Sequence, residues 1–127
     1  MKREIIASLT LLVVDLIWLS LFMKARYSTM IQSIQNSPMV AKLLPAVLSY
    51  CCLVIGLIYF VLPNFKDKPF SVKNCLRYAF LFGIVVYGVY DFTAAAVLDK
   101  WNMPLAIIDT IWGGILYFIS CYVLNFI

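Results

Sequence analysis

Two tetrapeptides, DLIW at Asp15–Trp18 and DTIW at Asp109–Trp112, place an acid three residues before a tryptophan inside stretches that are otherwise apolar. A third acid, Asp91, lies in the equally apolar run YGVYDFTAAAVL. At helical spacing the indole stands one turn from the carboxylate on the same face. An indole N–H can donate to a carboxylate of a neighbouring segment, so the two tryptophans would bracket the acids from above and below. Carboxylates in such surroundings can hold a proton, a cation, or an amine-bearing or hydroxylated small molecule.

Composition sets the medium in which these acids sit. The chain of 127 residues is 65% hydrophobic and 13% charged, with a mean hydropathy of +0.98. Soluble domains run at about 45 to 50% apolar and about 25% charged. This is the composition of a membrane protein, and the length suits one compact unit over residues 1–127. The net charge of +4 comes from Lys and Arg between the apolar runs, so it is an orientation signal and not a nucleic-acid patch. Histidine is absent. That removes bis-His haem, ordinary zinc sites, carboxylate-histidine di-iron centres and His-based triads, and no cofactor or metal is expected. Cys51, Cys52, Cys75 and Cys121 lack CxxC spacing and read as packing thiols. Cys75, beside Lys73 and Arg77 at a helix mouth, also fits a weak pattern for lipid attachment. The start MKREIIASLTLLVV resembles a signal peptide, but the run continues to Met23 without a small-x-small exit and is read as an uncleaved first span.

The elements that must position the acids follow from length. Four runs reach the roughly 20 residues a helix needs to cross about 30 Å of hydrocarbon. They are Glu4 to Met23, Leu43 to Leu62, Cys75 to Leu98 and Leu105 to Ile127. The expected fold is all-α: a polytopic membrane protein with four transmembrane helices in an antiparallel bundle. LPNFKDKPF and DKWNMP punctuate the later connections, the second with an interfacial Trp101. Between spans one and two, Tyr27, Met30, Ile31 and Ile34 recur at i, i+3, i+4 and i+7, which predicts a short amphipathic helix on the membrane surface. Ser37-Pro38 reads as an N-cap and first helical residue that would start span two early, and Pro45 would then kink it. Lys2, Arg3, Lys66, Lys68, Lys73 and Arg77 fall at one end, against Lys24, Arg26, Lys42 and Lys100 at the other. The positive-inside rule therefore favours cytoplasmic termini.

Depth can be compared across antiparallel spans. Asp15, Asp91 and Asp109 each fall roughly 10 to 13 Å below the same surface at 1.5 Å per residue, and Tyr50 of span two reaches that level. Three Asp side chains facing lipid would cost roughly 7 to 10 kcal/mol, so they are expected to turn inward. Helical spacing agrees. Asp109, Trp112, Gly113, Tyr117 and Ser120 share one face of span four, and Tyr87, Gly88, Asp91 and Ala95 one face of span three. Ala79, Gly83 and the pair Gly113-Gly114 would let backbones approach closely. With no intramembrane base beside them, the acids cannot all be ionised together cheaply, and at least one is expected to hold a proton. The bland alternative is that protonated Asp, Tyr and Trp are hydrogen-bonding glue between helices, at about 0.6 kcal/mol per contact. Asp67 and Asp99, flanked by lysines, read as solvated turn charges.

VVDLIWL, YGVYDFTAAAVL and WNMPLAIIDTIWGG, in this order and spacing, resemble the DUF2177 family of small predicted membrane proteins along essentially the whole chain. The resemblance implies roles for Asp15, Trp18, Tyr90, Asp91, Thr93, Trp101, Asp109, Trp112 and Gly113. One position departs: the family pattern reads like YDxTN, and Ala94 stands where the Asn would be. Any role for that amide is absent here or supplied elsewhere. The family brings no established activity with it.

The expected function is therefore proton, cation or small-molecule handling by a polar pocket of Asp15, Asp91, Asp109, Trp18, Trp112, Tyr50, Tyr87, Tyr90 and Thr93. Alternating access in so short a chain would call for a homo-oligomer, and the partners expected are the lipid bilayer and further copies or subunits. The alternative is an accessory or scaffold subunit of a membrane complex, in which the acids fix helix register. A lipid-modifying enzyme with an Asp as general base is the weakest reading, because no His or evident nucleophile accompanies the acids.

Overall fold

A computed structural model describes residues 2–38 and 42–126. It is helical, with four helices long and apolar enough to cross a membrane: α1 (Lys2–Gln35), α2 (Leu43–Phe65), α3 (Val72–Val97) and α4 (Met103–Phe126). Half of the apolar stretch of α4 is buried, against 17% in each of the other three, and α1 and α3 pack directly against it.

α3 and α4 form the tightest pair, and glycine is the reason. A Cβ at Gly83 would collide with the carbonyl oxygen of Gly113, and one at Gly113 would collide with the Tyr87 ring. Hydrogen at these positions lets the two backbones touch, which in a bilayer replaces the hydrophobic drive of a soluble core. At the end that carries the N-terminus, Leu57, Val61, Phe65, Cys75 and Cys121 are buried in one cluster. Phe65 stacks on Phe70 at 4.7 Å, and the Arg3 guanidinium lies 5.4 Å from the Phe70 ring centre. The N-terminus and the second connection therefore share one end of the bundle, as an antiparallel order requires.

Helix ends follow their caps. The Ser71 hydroxyl accepts from the Asn74 amide at 3.2 Å to open α3, and the Asn102 side chain accepts from the Leu105 amide at 3.2 Å to open α4. α1 stops at Asn36, whose left-handed backbone (φ 58°) is tolerated by Asn better than by most residues.

Two boundaries differ from the sequence expectation. The predicted short surface helix is not a separate element: Lys24–Gln35 continues α1 directly, because neither Gly nor Pro interrupts the chain between Trp18 and Gln35. Its apolar stripe finds partners inside the protein, with Tyr27, Met30 and Ile34 packed around Leu105 and Trp101. Lys100 Nζ donates to the Ser33 carbonyl at 3.1 Å and holds the α3–α4 connection to it. The second difference is the start of α2. Ser37 and Pro38 lie outside any helix, residues 39–41 fall outside the described residues, and α2 opens at Leu43. Pro45 is thus the third helical residue, where an amide has no intrahelical partner to lose, and not an interior residue of the span.

Wide, π-helical turns interrupt three helices, at Leu19–Met23 in α1, Leu57–Val61 in α2 and Cys75–Phe80 in α3. Each absorbs one extra residue and rotates everything beyond it relative to a plain α-helix.

Candidate functional site

All three acids are buried: Asp15 is 5% exposed, Asp91 0% and Asp109 6%. They belong to one neighbourhood but have different partners. Asp15, on α1, accepts from the Tyr50 hydroxyl of α2 at 2.7 Å and from the Trp112 indole of α4 at 3.0 Å. One carboxyl thereby joins three helices through two neutral donors.

Asp91 of α3 and Asp109 of α4 face one another, and Asp15 lies within electrostatic range of Asp109. The Thr110 hydroxyl approaches Asp91 Oδ2 at a long 3.5 Å, and Asp91 Oδ1 is buried with no hydrogen-bond partner. The Tyr27 hydroxyl faces Asp109 and Asp91 and is also buried without closing a hydrogen bond of ordinary geometry. This half of the site is left under-satisfied, whereas Asp15 is well satisfied.

The remaining expected residues separate. Tyr87 is half-buried over Gly113 and near Asp15 and Asp109. Tyr90 is 59% exposed, with its ring edge-on to Trp101 at 6.0 Å. Thr93 is exposed, because two residues beyond Asp91 is about 200° round the helix, and it points away from the acids. Trp18 and Trp112 do not bracket the acids from two sides. Their rings stack on each other at 4.3 Å and 7°, with Phe22 behind Trp18 at 4.3 Å, so the opposed chain directions bring the two indoles side by side. Cys75, a candidate for lipid attachment, is 0% exposed in the core and offers no accessible thiol; Cys51 and Cys52 are exposed on α2 and do not pack in the core.

A cleft of about 630 Å3 opens beside the acids. Asp15 and Asp109 form its polar wall, with Tyr27, Tyr50, Tyr87 and Tyr90 around them and Leu19, Ile31, Leu53 and Val86 supplying apolar surface. Lys24, exposed, stands on the same lining. The cleft lies on the side of α2, whose first 14 residues bury only Gly56.

Tyr27, Thr110 and Lys24 were absent from the sequence-based site. Thr110 adjoins Asp109, and a lone Thr in a helix carries no signal of its own, since its hydroxyl can bond the helix backbone instead. Tyr27 is instructive. On an uninterrupted α-helix it would sit about 120° from Asp15, but the extra residue in the Leu19–Met23 turn cancels about 100° of that and aligns the two. Among the described residues, no three His, Cys, Asp or Glu side chains are gathered to hold a metal ion.

Four apolar helices around inward-turned acids define a polytopic helical membrane protein. The model of the DUF2177 family, described as a predicted membrane protein, matches residues 2–124, and the chain belongs to that family. No curated protein and no solved structure matches it.

Proposed function

We propose that the protein binds a proton, a cation or a small molecule in the cleft walled by Asp15 and Asp109, as a transporter-like or ligand-binding module. The observation that carries this reading is the unequal satisfaction of the acids. Each oxygen of Asp15 has a neutral donor, whereas Asp91 Oδ1, buried behind Asp109, and the Tyr27 hydroxyl close no hydrogen bond of ordinary geometry, and Asp109 and Tyr27 stand on the cleft wall. Buried acceptors without partners are costly, and a ligand or proton that supplies the missing donor relieves that cost. With more basic residues at the end shared by Lys2 and Lys66, both termini are assigned to the cytoplasm and the cleft opens toward the opposite side.

The test compares wild type with the Asp15→Asn, Asp91→Asn, Asp109→Asn triple variant, which keeps shape and most hydrogen bonding. Small molecules released from each purified protein are quantified by mass spectrometry at acidic, neutral and alkaline pH. The expected result is a released species present with wild type and lost from the variant. A folded variant that releases the same species in the same amounts at every pH would remove the reading.

One observation favours the scaffold alternative, in which the acids only fix helix register. Asp15 ties α1, α2 and α4 together through Tyr50 and Trp112, with a donor already on each of its two oxygens. Under that alternative the triple variant assembles nearly as wild type and nothing is released from either.

A further inference from the structure

We infer that the cleft takes an apolar organic cation, an ammonium or phosphonium centre carrying hydrophobic groups. This rests on the ligand-binding reading above and narrows it to one chemical class.

Size and lining come first. A cleft of about 630 Å3 would be left almost empty by an inorganic ion or a single water, whose share of liquid volume is about 30 Å3. Leu19, Ile31, Leu53 and Val86 present surface that only apolar groups can use. Four tyrosines, Tyr27, Tyr50, Tyr87 and Tyr90, line the same space. Aromatic ring faces attract a cation within about 6 Å and more strongly away from water, and they repel an anion. A neutral hydrocarbon would satisfy the walls but leave the acids unanswered.

The charge requirement is a separate observation. Asp109, 6% exposed, forms part of the cleft wall, and behind it Asp91 is fully buried with Oδ1 unpartnered. The Tyr27 hydroxyl beside them is likewise unpartnered. Among the described residues, the groups that act on Asp91 and Asp109 are each other, Thr110, Tyr27 and Asp15, none of them basic. Lys24 is exposed and nine residues beyond Asp15, about 13 Å along the helix, so its ammonium reaches toward water and leaves the floor of the cleft without a resident cation. A positive centre at the floor, with its apolar substituents against the walls, answers both halves of the lining at once.

Purified full-length protein in detergent micelles is dialysed against tetraphenylphosphonium and, in parallel, tetraphenylborate, which has the same shape and the opposite charge. Saturable binding of the phosphonium is expected, with the borate retained no more than by empty micelles. Asp109→Asn is expected to weaken phosphonium binding about tenfold or more, and Asp109→Glu to keep it within about threefold. Because a change at a buried acid can unfold the bundle, Ser49→Trp supplies a second arm: Ser49 is an exposed residue of the lining, so the indole obstructs the cleft without replacing a buried side chain. That variant should abolish binding while its helical circular dichroism matches wild type. Equal retention of the two ions, binding indifferent to Ser49→Trp, or no saturable phosphonium binding by folded wild type would each overturn the organic-cation class. If phosphonium fails while an aspartate-dependent neutral species is still released from wild type, only this narrower inference falls; if nothing is released either, the ligand-binding reading falls with it.

Discussion

Asp15 shows how a single residue can be both expensive and useful in a membrane. Its carboxyl would be costly against lipid, yet with the Tyr50 hydroxyl and Trp112 indole as donors it becomes the polar knot between three helices. Such contacts in membrane proteins average about 0.6 kcal/mol and reach about 1.7 kcal/mol, because the unfolded chain in the bilayer also finds partners. Tyr50→Phe should therefore destabilise the bundle by about 0.6 to 1.7 kcal/mol. In an Asp15→Ala background the same change should cost close to nothing, and a double-mutant cycle by denaturant titration in mixed micelles measures the difference. Equal costs in the two backgrounds would mean that the hydrogen bond contributes no stability. The sequence made Asp15, Trp112 and Tyr50 visible one by one, through the rarity of acids in apolar runs and the depth of Tyr50. It did not pair them, and it misplaced Trp18, whose ring stacks on Trp112 and whose indole nitrogen is buried without a partner.

At the scale of the helix, the close crossing of α3 and α4 positions the acid pair. Asp91 and Asp109 can face one another only if the two backbones approach at Gly83 and Gly113, and both positions exclude a Cβ. Gly83→Ala should cost about 1 to 3 kcal/mol through overpacking and push the helices apart, although alanine is the better helix former in isolation. Thermal unfolding monitored by circular dichroism gives the stability change. A stabilised Gly83→Ala variant would show that the crossing is looser than the contact between Gly83 and the Gly113 carbonyl requires. The continuity of α1 is the other element-scale lesson. Periodicity identified the apolar stripe of Tyr27, Met30, Ile31 and Ile34 correctly, but the same stripe serves a surface helix or a helix packed on a bundle. Only the presence of Trp101 and Leu105 opposite it decided between them.

For the whole molecule, the proposed direction of the cleft rests on the distribution of cations. Arg3 over Phe70 puts the N-terminus beside the second connection, and Lys100 on Ser33 puts the end of α3 beside the outer part of α1. Single cysteines introduced at Lys66 and at Lys100 in a cysteine-free background should react with a membrane-impermeant maleimide from opposite sides of sealed vesicles. Cytoplasmic termini require Lys66→Cys to be labelled only from the cytoplasmic face; labelling of Lys66→Cys from outside would invert the assignment and turn the cleft toward the cytoplasm.

What the sequence determined by itself was local or additive: the medium, from composition; four spans, from the length of apolar runs; and the inward turn of Asp15, Asp91 and Asp109, from the cost of the alternative. Each of these depends on a residue and its near neighbours along the chain, so linear order carries the information. The tertiary structure alone decided which helix stands beside which, that α4 is the most buried of the four, that Tyr27 swings onto the acid face through the wide turn at Leu19–Met23, and that Thr93 does not join the site. These outcomes depend on lateral packing and on one-residue changes in helical phase. Such a phase change rotates every side chain beyond it while leaving the hydropathy pattern of the span almost unchanged.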